Sequence, residues 1–193
     1  CALPILRVWK NWECVATLAG HSHSVWSVLP IDEDRILSAS ADKTVCLWSI
    51  SSPKEPLYVF EGATQAVRDI ARVSDTAFVS AGNDGQLRLY PIHGGAPYKT
   101  FASLPAFVYA LAPLADGFVS SGEDRCVRVW AHDALAQLVP VPALSVWCVC
   151  TLSNGDMACG ASDGTVTIFT RDAARAALLP EQEAFAADIA TQS

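Results

Sequence analysis

Four times along the chain an aspartate is followed six residues later by an aromatic that closes a short alternating strand: Asp42 to Trp48, Asp84 to Tyr90, Asp124 to Trp130 and Asp163 to Phe169. The aspartates stand 42, 40 and 39 residues apart. A period of about 40 residues that carries strand patterns is the mark of four-stranded propeller blades and not of helical solenoids.

Each aspartate lies in a turn between two alternating runs, so each copy reads as a hairpin. Asn83-Asp84-Gly85 and Ser162-Asp163-Gly164 supply the turn chemistry, because Gly tolerates positive φ and Asp bonds its own backbone. Ahead of each hairpin a further strand carries a valine: Val25, Val67, Val108 and Val146. The runs 13–18, 57–60, 98–101 and 136–139 precede those valine segments and give each repeat a fourth strand.

These motifs resemble the WD40 repeat, and the copy with Gly20-His21, Val25, Ser38, Asp42 and Trp48 resembles it most fully. The resemblance implies a structural tetrad in which His21 bridges Asp42 and Ser38, and Trp48 ends the relay. Ser, His and Asp also suggest a hydrolase, but a triad is defined by geometry and roles and not by residue types. The blade accounts for all three, and no catalytic residue is assigned. The later copies carry Ala63, Leu104 and Pro142 in place of His21, and Cys159 replaces the strand serine that Ser80 and Ser120 keep. Those blades are expected to rely on apolar packing and turn chemistry, in a chain that is 51% hydrophobic.

The resulting fold expectation is all-β: a WD40 propeller over 1–170 with full blades at 11–50, 55–92, 96–131 and 135–170. Residues 1–10 would be the last strand of a preceding blade, and 171–193 a short C-terminal helix or linker. Four blades do not close a ring in this family, so the propeller is expected to be incomplete, with an open arc prone to self-association. In the tail, Pro180 suits a first helical turn, and Phe185 and Ile189 share one helix face.

A net charge of −7 with scattered basic residues argues against a nucleic-acid partner. No apolar run has membrane-spanning length. Seven cysteines without a regular scheme suit a reducing compartment. Cys148 and Cys150 fall on one side of a strand, but no second pair has zinc-site spacing, so packed thiols are expected and neither metal nor cofactor.

In a strand the residues beside the core valine alternate with it and point toward the mouth of the channel. Trp26, Arg68, Tyr109 and Trp147 follow the valines; Ser24, Ala66, Phe107 and Ser145 precede them. With the residues before the turn aspartates (Ala41, Asn83, Glu123 and Ser162), these positions line the top face in WD40 proteins. Exposed Trp, Tyr and Arg are the types that dominate binding hot spots.

Three blocks resemble the propeller of the phospholipase A2-activating protein family. They are Val25-Trp26-Ser27-Val28 with the run from Ser38 to Thr44; Ser121-Gly122-Glu123-Asp124-Arg125; and Leu144-Ser145-Val146-Trp147-Cys148 with the last hairpin and Glu183-Ala184-Phe185. The resemblance implies ubiquitin binding by the top of the propeller. Trp26, Arg68, Tyr109 and Trp147 would meet ubiquitin's apolar patch, with Ser24, Phe107 and Glu123 at the margin. It also implies a valosin-containing AAA ATPase as partner, recruited through domains that these residues do not include, and action in the cytoplasm and also the nucleus. The runner-up reading is a WD40 scaffold whose aromatic mouth takes another protein or a methylated or phosphorylated peptide. Phospholipase activation, implied by the family's name alone, finds no lipid chemistry in these residues.

Overall fold

A computed structural model describes residues 5–101 and 103–191; Cys1, where the expected preceding strand begins, and Ser193 lie outside the described residues. Strands β1 (Ile5–Lys10) and β2 (Glu13–Ala19) form a two-stranded sheet. Next comes a sheet of β3 (Val25–Pro30), β4 (Arg35–Ser40), β5 (Val45–Ser49) and β6 (Tyr58–Phe60). The following one holds β7 (Val67–Arg72), β8 (Ala77–Gly82), β9 (Arg88–Pro91) and β10 (Lys99–Thr100). After these come β11 (Val108–Leu114), β12 (Gly117–Gly122), β13 (Cys126–Ala131) and β14 (Ala134–Pro140) in one sheet, and β15 (Val146–Thr151), β16 (Met157–Ala161) and β17 (Val166–Phe169) in the last. Helix α1 (Leu179–Thr191) ends the chain's described part.

Every sheet is antiparallel and pairs its strands in chain order. Sheets and repeats are offset by one strand. The run expected to open each blade hydrogen-bonds instead to the last strand of the sheet before: β2 to β1, β6 to β5, β10 to β9 and β14 to β13. Four repeats therefore yield three four-stranded sheets flanked by one of two strands and one of three. The offset stitches successive sheets together, because every repeat has hydrogen bonds in two of them.

The chain divides into two compact units, residues 1–104 and 105–193. In the first, β7 packs on β3 and β4 around a core of Leu37, Val45, Leu47, Phe60, Val67, Ile70 and Phe78. A second cluster joins Leu6, Ala16 and Leu18 of the two-stranded sheet to Trp48. In the second unit β15 packs on β11 and β12, burying Val119, Val127 and Val129 against Val146, Val149 and Met157. The alternation read from the sequence is thus a sheet-against-sheet core.

The tail folds as a helix whose Leu178 N–H is accepted by Glu181 at 3.0 Å, half of a capping box. Pro180 stands in its first turn. Phe185 meets the edge of Phe169 with ring centroids 6.4 Å apart, and the ion pair of Arg175 with the buried Asp156 at 2.6 Å ties the segment before the helix to the last sheet.

Candidate functional site

All four residues that follow the valines sit at register shifts. In β3 the shift falls between Val25 and Ser27, in β7 between Val67 and Asp69, in β11 between Val108 and Ala110, and in β15 between Val146 and Cys148. Trp26, Arg68, Tyr109 and Trp147 are therefore bulge residues. A bulge leaves one residue out of the ladder and re-aims its side chain, a more specific device than the simple alternation the sequence suggests.

Backbone bonds close the same corner of each sheet. The N–H before the turn aspartate donates to the carbonyl before the valine: Ala41 to Ser24 at 2.9 Å, Asn83 to Ala66 at 2.9 Å, Glu123 to Phe107 at 3.0 Å and Ser162 to Ser145 at 3.0 Å. A Cβ on Gly82 would stand 2.1 Å from the Ala66 carbonyl oxygen, and one on Gly122 2.2 Å from that of Phe107, so glycine permits the close approach there. The three residue sets thus share one corner of each sheet.

In the first unit the Arg68 guanidinium carbon lies 4.4 Å from the centroid of the Trp26 ring. Arg68 Nε donates to Asn83 Oδ1 at 2.7 Å, which fixes the guanidinium plane over the indole. Trp26 is 42% exposed, Arg68 half-buried and Ser24 exposed. Beside them Ser27 Oγ donates to Asp69 Oδ1 at 2.6 Å, linking the two innermost strands. Asp69 was not singled out from the sequence, since β7 reads Val-Arg-Asp-Ile-Ala-Arg and one more charge there carries no local signal.

In the second unit Tyr109 and Trp147 stack, with centroids 4.7 Å apart and planes 10° from parallel. Trp147 is 53% exposed; Tyr109 and Phe107 are half-buried and Glu123 is exposed. Ser145, at 7%, is buried. Each unit thus offers an ordered pair of large flat groups, one cation–aromatic and one aromatic–aromatic. Such pairs can cover apolar surface with little loss of side-chain entropy.

The His21 network is internal. His21 is buried, with Nδ1 2.8 Å from Asp42 Oδ2 and Nε2 2.7 Å from Ser38 Oγ. Trp48 Nε1 donates to the same Ser38 Oγ at 2.7 Å. Asp42 also accepts from Thr44 Oγ1 at 2.6 Å and from the Ser22 N–H at 3.0 Å. Burial pushes its carboxyl up, but the bonds from Thr44, His21 and Ser22 outweigh it and hold the group below the usual carboxylate range. With both sides of the imidazole engaged and the buried serine hydroxyl bonded to both His21 and Trp48, the set offers no exposed nucleophile.

Blades without the histidine do not rest on apolar packing and turn chemistry alone. Arg88 pairs with Asp84 at 2.9 Å, both side chains only 5% exposed, and Arg128 pairs with Asp124. Each arginine lies four residues after the aspartate, on the next strand. Trp130 Nε1 still donates to Ser120 Oγ, at 2.9 Å. Among the described residues the last sheet has neither partner; Asp163 bonds Thr165, through its hydroxyl at 2.7 Å and its N–H at 2.9 Å, at an exposed turn.

Cys148 and Cys150 are exposed, not packed. They pair with Gly160 and Ala158 on the face of the last sheet that no other sheet covers among the described residues. No group of three or more His, Cys, Asp or Glu stands close enough to hold a metal among the described residues, and no helix there is long and apolar enough to cross a membrane.

Antiparallel sheets built from a 40-residue repeat, with a turn aspartate, a strand serine and a closing aromatic, define a WD40 propeller. The chain belongs to the family described as WD domain, G-beta repeat, whose model matches residues 12–49, 54–90 and 141–170. It is similar to the ubiquitin homeostasis protein lub1 of Schizosaccharomyces pombe, 36% identical over 83% of this chain and 27% of that protein. It is also similar to the ubiquitin fusion degradation protein 3 homolog of Caenorhabditis elegans, 31% identical over 88% of this chain and 21% of that one. A segment covering 25% of the chain is 49% identical to phospholipase A-2-activating protein of Xenopus laevis and spans 6% of it. Among solved structures, the WD40 beta propeller domain of Doa1 superposes with a TM-score of 0.83 at 38% identity, covering 90% of this chain and 60% of that one. The resemblance to the phospholipase A2-activating protein family read from the sequence holds, and the chain spans about a quarter of the length of the first two relatives.

Proposed function

We propose that this chain is a non-catalytic ubiquitin-binding propeller segment. Trp26 with Arg68, and Tyr109 with Trp147, would meet the apolar patch of ubiquitin, and Ser24, Phe107 and Glu123 would border the contact. The observation that carries the reading is that all four side chains stand on β-bulges and pair into ordered, partly exposed groups, which packing of the blades does not require. Two relatives are named for ubiquitin homeostasis and for ubiquitin fusion degradation, which supports the same direction. In the whole protein the propeller would act in ubiquitin-dependent degradation, with a valosin-containing AAA ATPase engaged by other domains, in the cytoplasm and nucleus.

Each such pair should bind weakly, with a dissociation constant on the order of tens to hundreds of micromolar, or roughly −5 to −6 kcal/mol. Titrating labelled ubiquitin with the chain should shift resonances clustered at ubiquitin's apolar patch, and Trp26→Ala with Tyr109→Ala should remove the shifts. Unchanged spectra at millimolar chain reject the reading. A peptide array that the same double variant silences, with no ubiquitin shifts, would favour the scaffold reading instead.

A further inference from the structure

The loop that leads from β14 into β15 carries Leu144, which at 80% is the most exposed aliphatic side chain among the described residues. Its neighbours point the other way: Ala143, Ser145 and Val146 are all buried. Both sheets that the loop joins are described, so their packing already decides which of its side chains are covered. Two residues before the valine, the other repeats carry His23, Gln65 and Ala106. Only this loop places a large apolar side chain there, and a polar residue would hold the position without loss to the fold.

Backbone bonds pin the loop on both sides of Leu144. The Val141 N–H donates to the Arg125 carbonyl at 2.8 Å, and the Ala143 N–H to the Val141 carbonyl at 2.8 Å. Ser145 and Ser162 bond reciprocally: the Ser145 N–H donates to Ser162 Oγ at 3.1 Å, and the Ser162 N–H to the Ser145 carbonyl at 3.0 Å. Leu144 is therefore presented by a fixed backbone, and little backbone entropy remains to be lost when it is covered.

Trp147 follows three residues later, on its bulge and stacked on Tyr109. Three residues of chain span at most roughly 10 Å, so a partner that covers Trp147 lies within reach of Leu144. We infer that Leu144 is a further contact residue of the ubiquitin surface, extending the Tyr109–Trp147 stack into an aliphatic and aromatic rim within the second unit. Ser162 is its positioning residue. The inference rests on the ubiquitin reading above and adds to it a contact made outside the bulge positions.

Titrating the methyl-labelled chain with ubiquitin tests it. The Leu144 methyl resonances, assigned by their absence from Leu144→Ser, should shift as ubiquitin is added. In the reverse titration of labelled ubiquitin, Leu144→Ser should weaken binding about tenfold, as expected for a leucine that is buried only in the complex. Its urea midpoint should equal that of the parent, because the side chain is exposed in the free chain. Ser162→Ala should weaken binding to a smaller degree, and Ser162→Thr, which keeps the hydroxyl, should restore it. Full affinity in Leu144→Ser, or Leu144 methyls that stay in place while ubiquitin resonances shift, overturns the inference and leaves the ubiquitin reading standing. A parent chain that shifts no ubiquitin resonance removes both.

Discussion

At the β4–β5 turn Asp42 is held by a histidine twenty-one residues earlier in the chain, whereas at the β8–β9 turn Asp84 is held by Arg88, four residues on in the same hairpin. What the two turns share is a backbone donor from the preceding loop: the Ser22 N–H to Asp42 at 3.0 Å and the Thr64 N–H to Asp84 at 3.0 Å. The loop is therefore tied down in both sheets without the imidazole. The histidine adds reach, since one ring joins the loop, the turn and, through Ser38, the indole of Trp48. The arginine adds charge, since it neutralises a carboxylate that is almost fully enclosed.

That difference ranks the consequences of breaking each site. Burial pushes the Asp84 carboxyl up, and the bonds from Arg88, Thr64 and Gln86 outweigh it and keep the group lowered. Arg88→Ala strands this buried negative charge, and losses of that kind run to about 3–5 kcal/mol. A urea titration should show the shift. Adding Asp84→Ala should recover much of it, because no uncompensated charge then remains; a double variant as unstable as the single one would mean that Arg88 acts through packing instead.

His21→Ala should cost less, about 1–3 kcal/mol. Asp42 keeps Thr44 and Ser22, and Ser38 keeps the donor from Trp48. Hydrogen exchange should localise the loss to the loop before β3 and to the β4 and β5 amides. A loss larger than that of Arg88→Ala would reverse the ranking.

The repeat was legible because its marks are local and periodic: turn aspartates, strand serines and closing aromatics recur at fixed offsets. The tetrad around His21 was legible for the same reason. The strand offset was not, since sequence order does not say whether the run before a valine pairs forward or backward. Arg88 and Arg128 were overlooked because an arginine in a strand reads as an outward residue; the signal was its recurrence four positions after two successive turn aspartates that lack a histidine. Trp26, Arg68, Tyr109 and Trp147 were picked by position, but the bulges on which they stand and the pairing of Arg68 with Asn83 depend on three-dimensional register. Cys148 and Cys150 were expected to be packed because strand cysteines usually are, but among the described residues no sheet covers their face.

The β3–β6 sheet, the first of the two compared, can be rebuilt on the plan of the β7–β10 sheet. Cys46 occupies the position of Arg88, and its Sγ lies 3.9 Å from His21 Nδ1, beside the carboxylate that an arginine would have to reach. Burial raises its thiol to about 11, so it carries no charge that the exchange would remove. Combining His21→Ala with Cys46→Arg should let the new guanidinium pair with Asp42 as Arg88 pairs with Asp84. The bond from Trp48 to Ser38 should persist, because Trp130 and Ser120 keep theirs at 2.9 Å beside an arginine-held aspartate. The net change relative to the parent should then stay within about 1 kcal/mol, smaller than for His21→Ala alone. If the double variant is instead less stable than His21→Ala, reach and not charge is what the first sheet requires of its aspartate's partner, and the two turns are not interchangeable solutions.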